Sequence, residues 1–180
     1  CCLLPDSLLC RVVATAFTVR FSSTGRILAV ACCELRTFPL RLYDVASSHT
    51  QRSAAALVGA NPSRDGAVLV CELQGHHGLV YDLAWSHDDK FLASASADGT
   101  AKLWSMGLLA AGTSEAPTLL HIFDHPGYVY SCGFVASDVV TGCYDGGVRL
   151  WGDGSLVGGD IVHSGMVNAI DVDDEYVYSG

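Results

Sequence analysis

The chain has 180 residues, half of them apolar and only 16% charged. That is enough to bury roughly two thirds of its unfolded surface as one modest domain, and it is too apolar for a disordered segment. The formal net charge of −9 argues against a nucleic-acid binder, which needs Lys and Arg to neutralise phosphates, and equally against a polybasic membrane anchor.

Val, Gly and Ser are abundant while Glu, Lys and Gln are scarce, a bias toward strands and tight turns. Residues 1–10 form a lead-in. Cys1–Cys10 is apolar but lacks the basic start and small-residue cleavage site of a signal peptide. A chain that opens on Cys1 without an initiator Met reads as a fragment or a processed product. No apolar run approaches the roughly 20 residues of a membrane helix.

From there the sequence divides into repeated units. The first, residues 11–74, runs through FTVRFSSTGRILAVACCE and PLRLYDV to an outer strand at Ala67–Leu73, with a polar, small-residue insertion at 47–66. The second, 75–123, carries GLVYDLAWS, LASASADGTAKLW, a loop from Gly107 to Ala116 and an outer strand at Pro117–Phe123. The third, 124–161, carries GYVYSCGF and VVTGCYDGGVRLW. Its outer strand, through GDGSLVGGD, is expected to be short because glycines weaken strands. The fourth, 162–180, begins with MVNAIDV after His163 and stops within its second strand. Ser22–Gly25 and Ser86–Asp89 read as hairpin turns, and Asp98-Gly99 and Asp145-Gly146 as tight turns.

Leu92–Trp104 and Val139–Trp151 superimpose without a gap, each placing an Asp six residues before a Trp, with 47 residues from Asp98 to Asp145. A spacing close to 40–45 residues marks stacked supersecondary repeats. In the first unit Glu34 takes the Asp place and Tyr43 the Trp place, and no His is present.

His76, Ser96, Asp98 and Trp104 include the parts of a hydrolase triad. That chemistry needs an exposed nucleophile beside an oxyanion hole, whereas Ser96 lies in an apolar strand and no G-x-S-x-G elbow exists. The set reads instead as a buried relay, Asp to His to hydroxyl to indole, that satisfies polar groups and pins strands. The third unit repeats it as His125, Cys143, Asp145 and Trp151. There an S–H replaces the hydroxyl and predicts a weaker relay. A set that drifts between copies suits structure rather than catalysis.

Five of the eight cysteines, Cys32, Cys33, Cys71, Cys132 and Cys143, sit in strand-like apolar runs, where free Cys behaves as a small hydrophobe. They read as reduced thiols of a cytosolic chain. No C-x-x-C pair exists, and the neighbours His76-His77 lack further ligands. Neither a metal nor any other cofactor is expected.

Gly75-His76, the turn Ser96–Thr100 and Lys102-Leu103-Trp104 resemble the WD40 repeat. FSSTGRILAVACC, LRLYDV, GHHGLVYDLAWSHDDKFLASASADGTAKLW, HPGYVYSCGF, VVTGCYDGGVRLW and HSGMVNAIDVD further resemble the jouberin family of ciliary scaffolds. The resemblance implies an all-β WD40 β-propeller of about three blades plus part of a fourth, an incomplete ring. It also implies a non-enzymatic scaffold that binds other proteins at the ciliary transition zone or basal body, without nucleic acid or membrane insertion. A generic WD40 adaptor or substrate receptor elsewhere in the cytosol or nucleus remains the alternative.

By WD40 registration, inner-strand starts and the residue before the turn Asp face the top opening. These are Thr15 and Phe17, then Leu79, Tyr81 and Ala97, then Tyr128, Tyr130 and Tyr144, then Met166 and Asn168. Tyrosine suits interfaces, so this patch either grips a partner or packs between blades. Leu83, Trp85, Leu92 and Leu103 register as core, with Phe21 and Phe134 matching Trp85, while Asp82 receives no role.

Overall fold

The computed structural model describes residues 15–45, 67–107, 116–173 and 176–180. The lead-in 1–10, the insertion 47–66 and most of the Gly107–Ala116 loop lie outside them. Fourteen strands and no helix are present among the described residues, so no helix there is long and apolar enough to cross a membrane.

Three antiparallel four-stranded sheets follow chain order. The first holds β1 (Thr15–Phe21), β2 (Ile27–Cys33), β3 (Leu40–Asp44) and β4 (Val68–Leu73). The second holds β5 (Val80–Trp85), β6 (Phe91–Ser96), β7 (Thr100–Ser105) and β8 (Thr118–Asp124). The third holds β9 (Val129–Val135), β10 (Asp138–Cys143), β11 (Gly147–Gly152) and β12 (Ser155–Ile161). A two-stranded sheet of β13 (Ile170–Val172) and β14 (Val177–Ser179) follows. The sheets form the blades of an open arc, with β5 packed against β1 and β9, and β9 against β13.

A sheet this small cannot bury both its faces alone, so the core lies between blades. Ile27, Ala29, Leu40 and Leu42 of blade one pack with Val80, Leu83, Leu92 and Trp104 of blade two. Ala93, Ala95, Ala101 and Phe123 of blade two pack with Val129, Cys132 and Val139 of blade three. The alanines leave room for the large aromatics. Phe123 stacks on Trp151 across the junction with ring centroids 4.9 Å apart.

Trp85, Phe21 and Phe134 occupy equivalent register positions, opposite Leu92, Leu28 and Val139. Trp85 and Phe134 are half-buried and pack against the two core clusters, whereas Phe21 departs from the expectation at 59% exposed. All three lie at or next to the ends of the inner strands and line an open concavity of about 780 Å³ with Arg20, Asp82 and Val172. The outer strand of blade three is also longer than its glycines suggested, at seven residues.

Bulges recur at fixed positions. On each inner strand one residue is passed over in the pairing with its neighbour: Phe17, Tyr81 and Tyr130. On each outer strand the passed-over residues are Val70, Leu120 and Val157. A bulge bends its strand and re-aims a side chain.

Hydrogen bonds tie the blades as well. Asp82 Oδ1 accepts from Arg20 Nη2 at 2.9 Å and from its neighbour Leu83 N, while Oδ2 accepts from Ser131 Oγ at 2.9 Å and Cys132 N at 3.2 Å. Ser131 Oγ in turn accepts from Ile170 N at 2.9 Å. One carboxylate thus joins three inner strands, and its partner extends the line to a fourth. At the hairpin below, Asp89, with φ of 58°, accepts from the backbone and hydroxyls of Ser23 and Thr24 across the first junction. Burial works to raise the Asp89 pKa, but these four bonds outweigh it and hold the carboxyl below its ordinary value.

Replacing Asp82 with Ala strips partners from Ser131 and Cys132 N. Loss of such partially buried acceptors costs about 1–3 kcal/mol. Urea unfolding of D82A should show that loss as a lower midpoint with an unchanged slope, and an unaltered midpoint would deny the carboxylate its bridging role.

Candidate functional site

In blade two the imidazole of His76 lies between a carboxylate and a hydroxyl. Its Nδ1 donates to Asp98 Oδ2 at 2.8 Å, and its Nε2 accepts from Ser94 Oγ at 2.7 Å. Trp104 Nε1 donates to the same Ser94 Oγ at 2.9 Å. Asp98 is also capped by His77 N, Thr100 N and Thr100 Oγ1. Gly99, with φ of 82°, closes the turn, a left-handed conformation that glycine adopts without strain. Burial raises the Asp98 pKa, but the bonds from His76, Thr100 and His77 overcome it and hold the group ionised far below its usual range. Burial lowers the His76 pKa despite Asp98, so the ring is kept neutral.

His76, Asp98 and Trp104 are therefore brought together, but Ser96 is not the hydroxyl between them. Its Oγ donates to Gly78 O at 3.2 Å and accepts from Asp98 N at 3.1 Å, bracing the turn. Leu92, Ser94 and Ser96 share one face of β6, because side chains alternate along a strand, and parity could not separate the two serines. Ser94 sits two residues along from Leu92, the cross-strand partner of Trp104, within reach of both rings. The connectivity is that of a Ser-His-Asp triad. Ser94 is nevertheless wholly buried, and its oxygen already receives the indole N–H, so a substrate has no path to it.

Blade three corrects the reading further. Thr141, not Cys143, supplies the hydroxyl, accepting from Trp151 Nε1 at 2.9 Å and donating to His125 Nε2 at 2.8 Å. Cys143 Sγ points to Gly127 O at 3.7 Å. Asp145 does not meet His125. The His125 Nδ1–H donates to Phe123 O at 2.9 Å, while Asp145 pairs with Arg149. The Arg149 guanidinium holds the Asp145 carboxyl well below the ordinary carboxylate range. Burial lowers the His125 pKa to about 4, with only the Phe123 carbonyl and distant carboxylates opposing. His163 repeats the His-to-hydroxyl step with Ser179 at 2.8 Å. The signal was present in the sequence, since Ser94, Thr141 and Ser179 keep a hydroxyl where the 96/143 position does not.

The five described cysteines are free. Burial pushes the Cys71 thiol up to about 11 and the Cys132 thiol well above its ordinary value, so neither is a ready thiolate. Among the described residues no group of three metal-ligating side chains comes together.

The tyrosines form one cluster. Tyr81 and Tyr130, the two bulged residues of neighbouring inner strands, lie 5.1 Å apart across the blade junction. Tyr130 meets Tyr128 edge-on at 6.3 Å, and Tyr128 meets Tyr144 at 6.2 Å. The Tyr144 backbone N–H donates to Tyr128 O at 2.8 Å. Gly127 permits this approach, since a Cβ there would stand 3.3 Å from the Tyr144 Cβ. Tyr81 and Tyr130 are half-buried, whereas Tyr128 is 50% and Tyr144 57% exposed. The inner pair packs between blades and the outer pair faces solvent. Leu79 and Ala97 are half-buried and joined backbone to backbone. Thr15, Phe17, Met166 and Asn168 are exposed on the flanking blades.

Blades of four antiparallel strands, an His-hydroxyl-Trp relay and an Asp-Gly turn define a WD40-type β-propeller arc. The WD domain, G-beta repeat, matches residues 67–105 and 117–152, so the chain carries WD40 repeats. It is similar to jouberin of Rattus norvegicus and of Mus musculus, each 33% identical over 175 residues. The match covers 91% of this chain but only 14% of the length of those relatives. A chain in the crystal structure of the mitotic checkpoint complex superposes with a TM-score of 0.68 at 16% identity, covering 94% of this chain and 45% of that one. That likeness shows the fold.

Ser94→Ala and Thr141→Val each orphan an indole N–H and an imidazole nitrogen, and should each cost about 1–3 kcal/mol in chemical unfolding. Stability unchanged in both variants would leave the relay without weight.

A second outcome concerns acid. His125 is protonated near pH 6.5 when unfolded but only near 4 when folded. The unfolded chain therefore binds more protons between those values, and stability present above pH 6.5 is lost as pH falls toward 4. The unfolding free energy should drop across that window by on the order of 3 kcal/mol for this group, read by urea unfolding at each pH, and His125→Asn should flatten the drop. A wild-type profile flat from pH 7 to 4 would contradict it.

Proposed function

We propose that this chain is a non-enzymatic scaffold whose top face, at the corner of Tyr128 and Tyr144, grips a partner protein. The observation that carries the reading is the exposure of these two rings on a base of two half-buried ones, Tyr81 and Tyr130. A tyrosine held by its neighbours offers large contact area with little entropy left to lose and a polar tip for a hydrogen bond. Leu79, Met166 and Asn168 extend the face toward the adjoining blades. Catalysis is disfavoured because Ser94 and Ser96 are fully buried and their hydroxyls are committed to the relay and the turn.

The jouberin resemblance supports a place at the ciliary base, with transition-zone or basal-body proteins as partners. Charge and strand composition fit equally a WD40 adaptor of another cytosolic or nuclear complex, and localisation separates the two.

The test expresses the tagged full-length protein in ciliated cells, as wild type and as Tyr128→Ala/Tyr144→Ala. Wild type should gather at the ciliary base and the double variant should disperse. Its melting temperature should stay within a few degrees, because exposed substitutions usually shift stability by no more than about 0.5 kcal/mol each. Wild type that is diffuse or nuclear sinks the ciliary role. A double variant that melts far earlier shows the outer tyrosines to be packing residues.

A further inference from the structure

We propose that Lys102 is a receiving point for an anionic group, a carboxylate or a phosphate, carried by a binding partner. Arg41, Lys102 and Arg149 occupy the same place on β3, β7 and β11, opposite Val30, Ser94 and Thr141. In blade one Arg41 pairs with the turn carboxylate Glu34 and with Glu72 on the outer strand. In blade three Arg149 pairs with the turn carboxylate Asp145.

Blade two breaks the pattern twice. Its turn carboxylate, Asp98, is taken by His76, the backbone of His77 and Thr100. Its outer-strand neighbour is Ile122, where blade one has Glu72. Lys102 consequently makes no hydrogen bond or ion pair with any described residue, although it is only 5% exposed.

Every buried side-chain nitrogen or oxygen among the described residues has a hydrogen-bond partner. Since the Lys102 ammonium has none, it is not fully enclosed and keeps a narrow contact with solvent. The four-carbon stem is held by packing and the charge stands at its mouth, as long cationic side chains do when they snorkel. A cation immobilised in this way has already lost its rotamer freedom, so an incoming anion does not have to order it. A lysine presents a compact point charge rather than a planar fork, so one oxygen of a carboxylate or phosphate suffices. The proposal uses none of the tyrosines and does not rest on them.

The chain has only two lysines, Lys90 and Lys102, which gives the experiment its control. Lys90 is exposed and already paired with Asp88. The 180-residue chain labelled with ε-13C lysine yields two Cε signals at pH 7.5, assigned through Lys90→Arg. Sodium acetate and inorganic phosphate are titrated separately against sodium chloride at equal ionic strength. The Lys102 signal should move saturably, with a midpoint in the millimolar range, while Lys90 follows the chloride control. Saturation by acetate identifies a carboxylate ligand, and saturation by phosphate alone identifies a phosphorylated one. Two signals that track ionic strength alike with both anions overturn the proposal. Tyr128→Ala/Tyr144→Ala should leave the titration unchanged, so the two sites fail or stand independently.

Discussion

The inner strands of this arc are aligned by a carboxylate that belongs to the middle one. Asp82 receives bonds from Arg20 on one side and from Ser131 and Cys132 on the other, and Ser131 passes the line on to Ile170. Hydrophobic faces alone do not set how far one blade slides along the next, because apolar contact is nearly indifferent to small displacements. A hydrogen-bonded carboxylate is not indifferent, since its bonds weaken steeply with misalignment. Sliding one inner strand by a residue would empty this site and break the contact between Tyr81 and Tyr130.

The tyrosine cluster depends on that alignment. Tyr81 and Tyr130 touch because their strands are held in step and because each is the bulged residue of its strand. The two relays hold the strands behind them. Each sets a tryptophan of the third strand against a hydroxyl of the second and an imidazole from the entering loop. Blade three shows which part is dispensable. His125 finds a backbone carbonyl in place of a carboxylate, whereas the hydroxyl between imidazole and indole is kept in both blades.

Much of this was legible in the sequence. The 47-residue spacing, the Asp-Gly turns and the alternation within each strand pointed to the blades, and the four tyrosines that registration grouped lie in contact with one another. The hydroxyl of the relay was missed because Ser94 and Ser96 share a strand face, and only comparison across blades picks out Ser94, Thr141 and Ser179. Asp82 was invisible for a different reason. Its partners lie 49 and 62 residues away in sequence, on strands whose relative offset is a product of the fold. Trp85 and Phe134 only flank the core clusters and Phe21 is exposed, because these positions also line the open concavity between the inner strands.

The outer-strand bulges bear on how the chain behaves in company. β4, β8 and β12 are sheet edges rich in exposed Val and Leu, the kind of surface that templates strand addition and aggregation. In each, the ladder runs for three or four residue pairs, skips Val70, Leu120 or Val157, and resumes for two. A foreign strand laid along such an edge meets a break in phase before it has formed a full set of bonds, so the rim can stay apolar without becoming adhesive along its length.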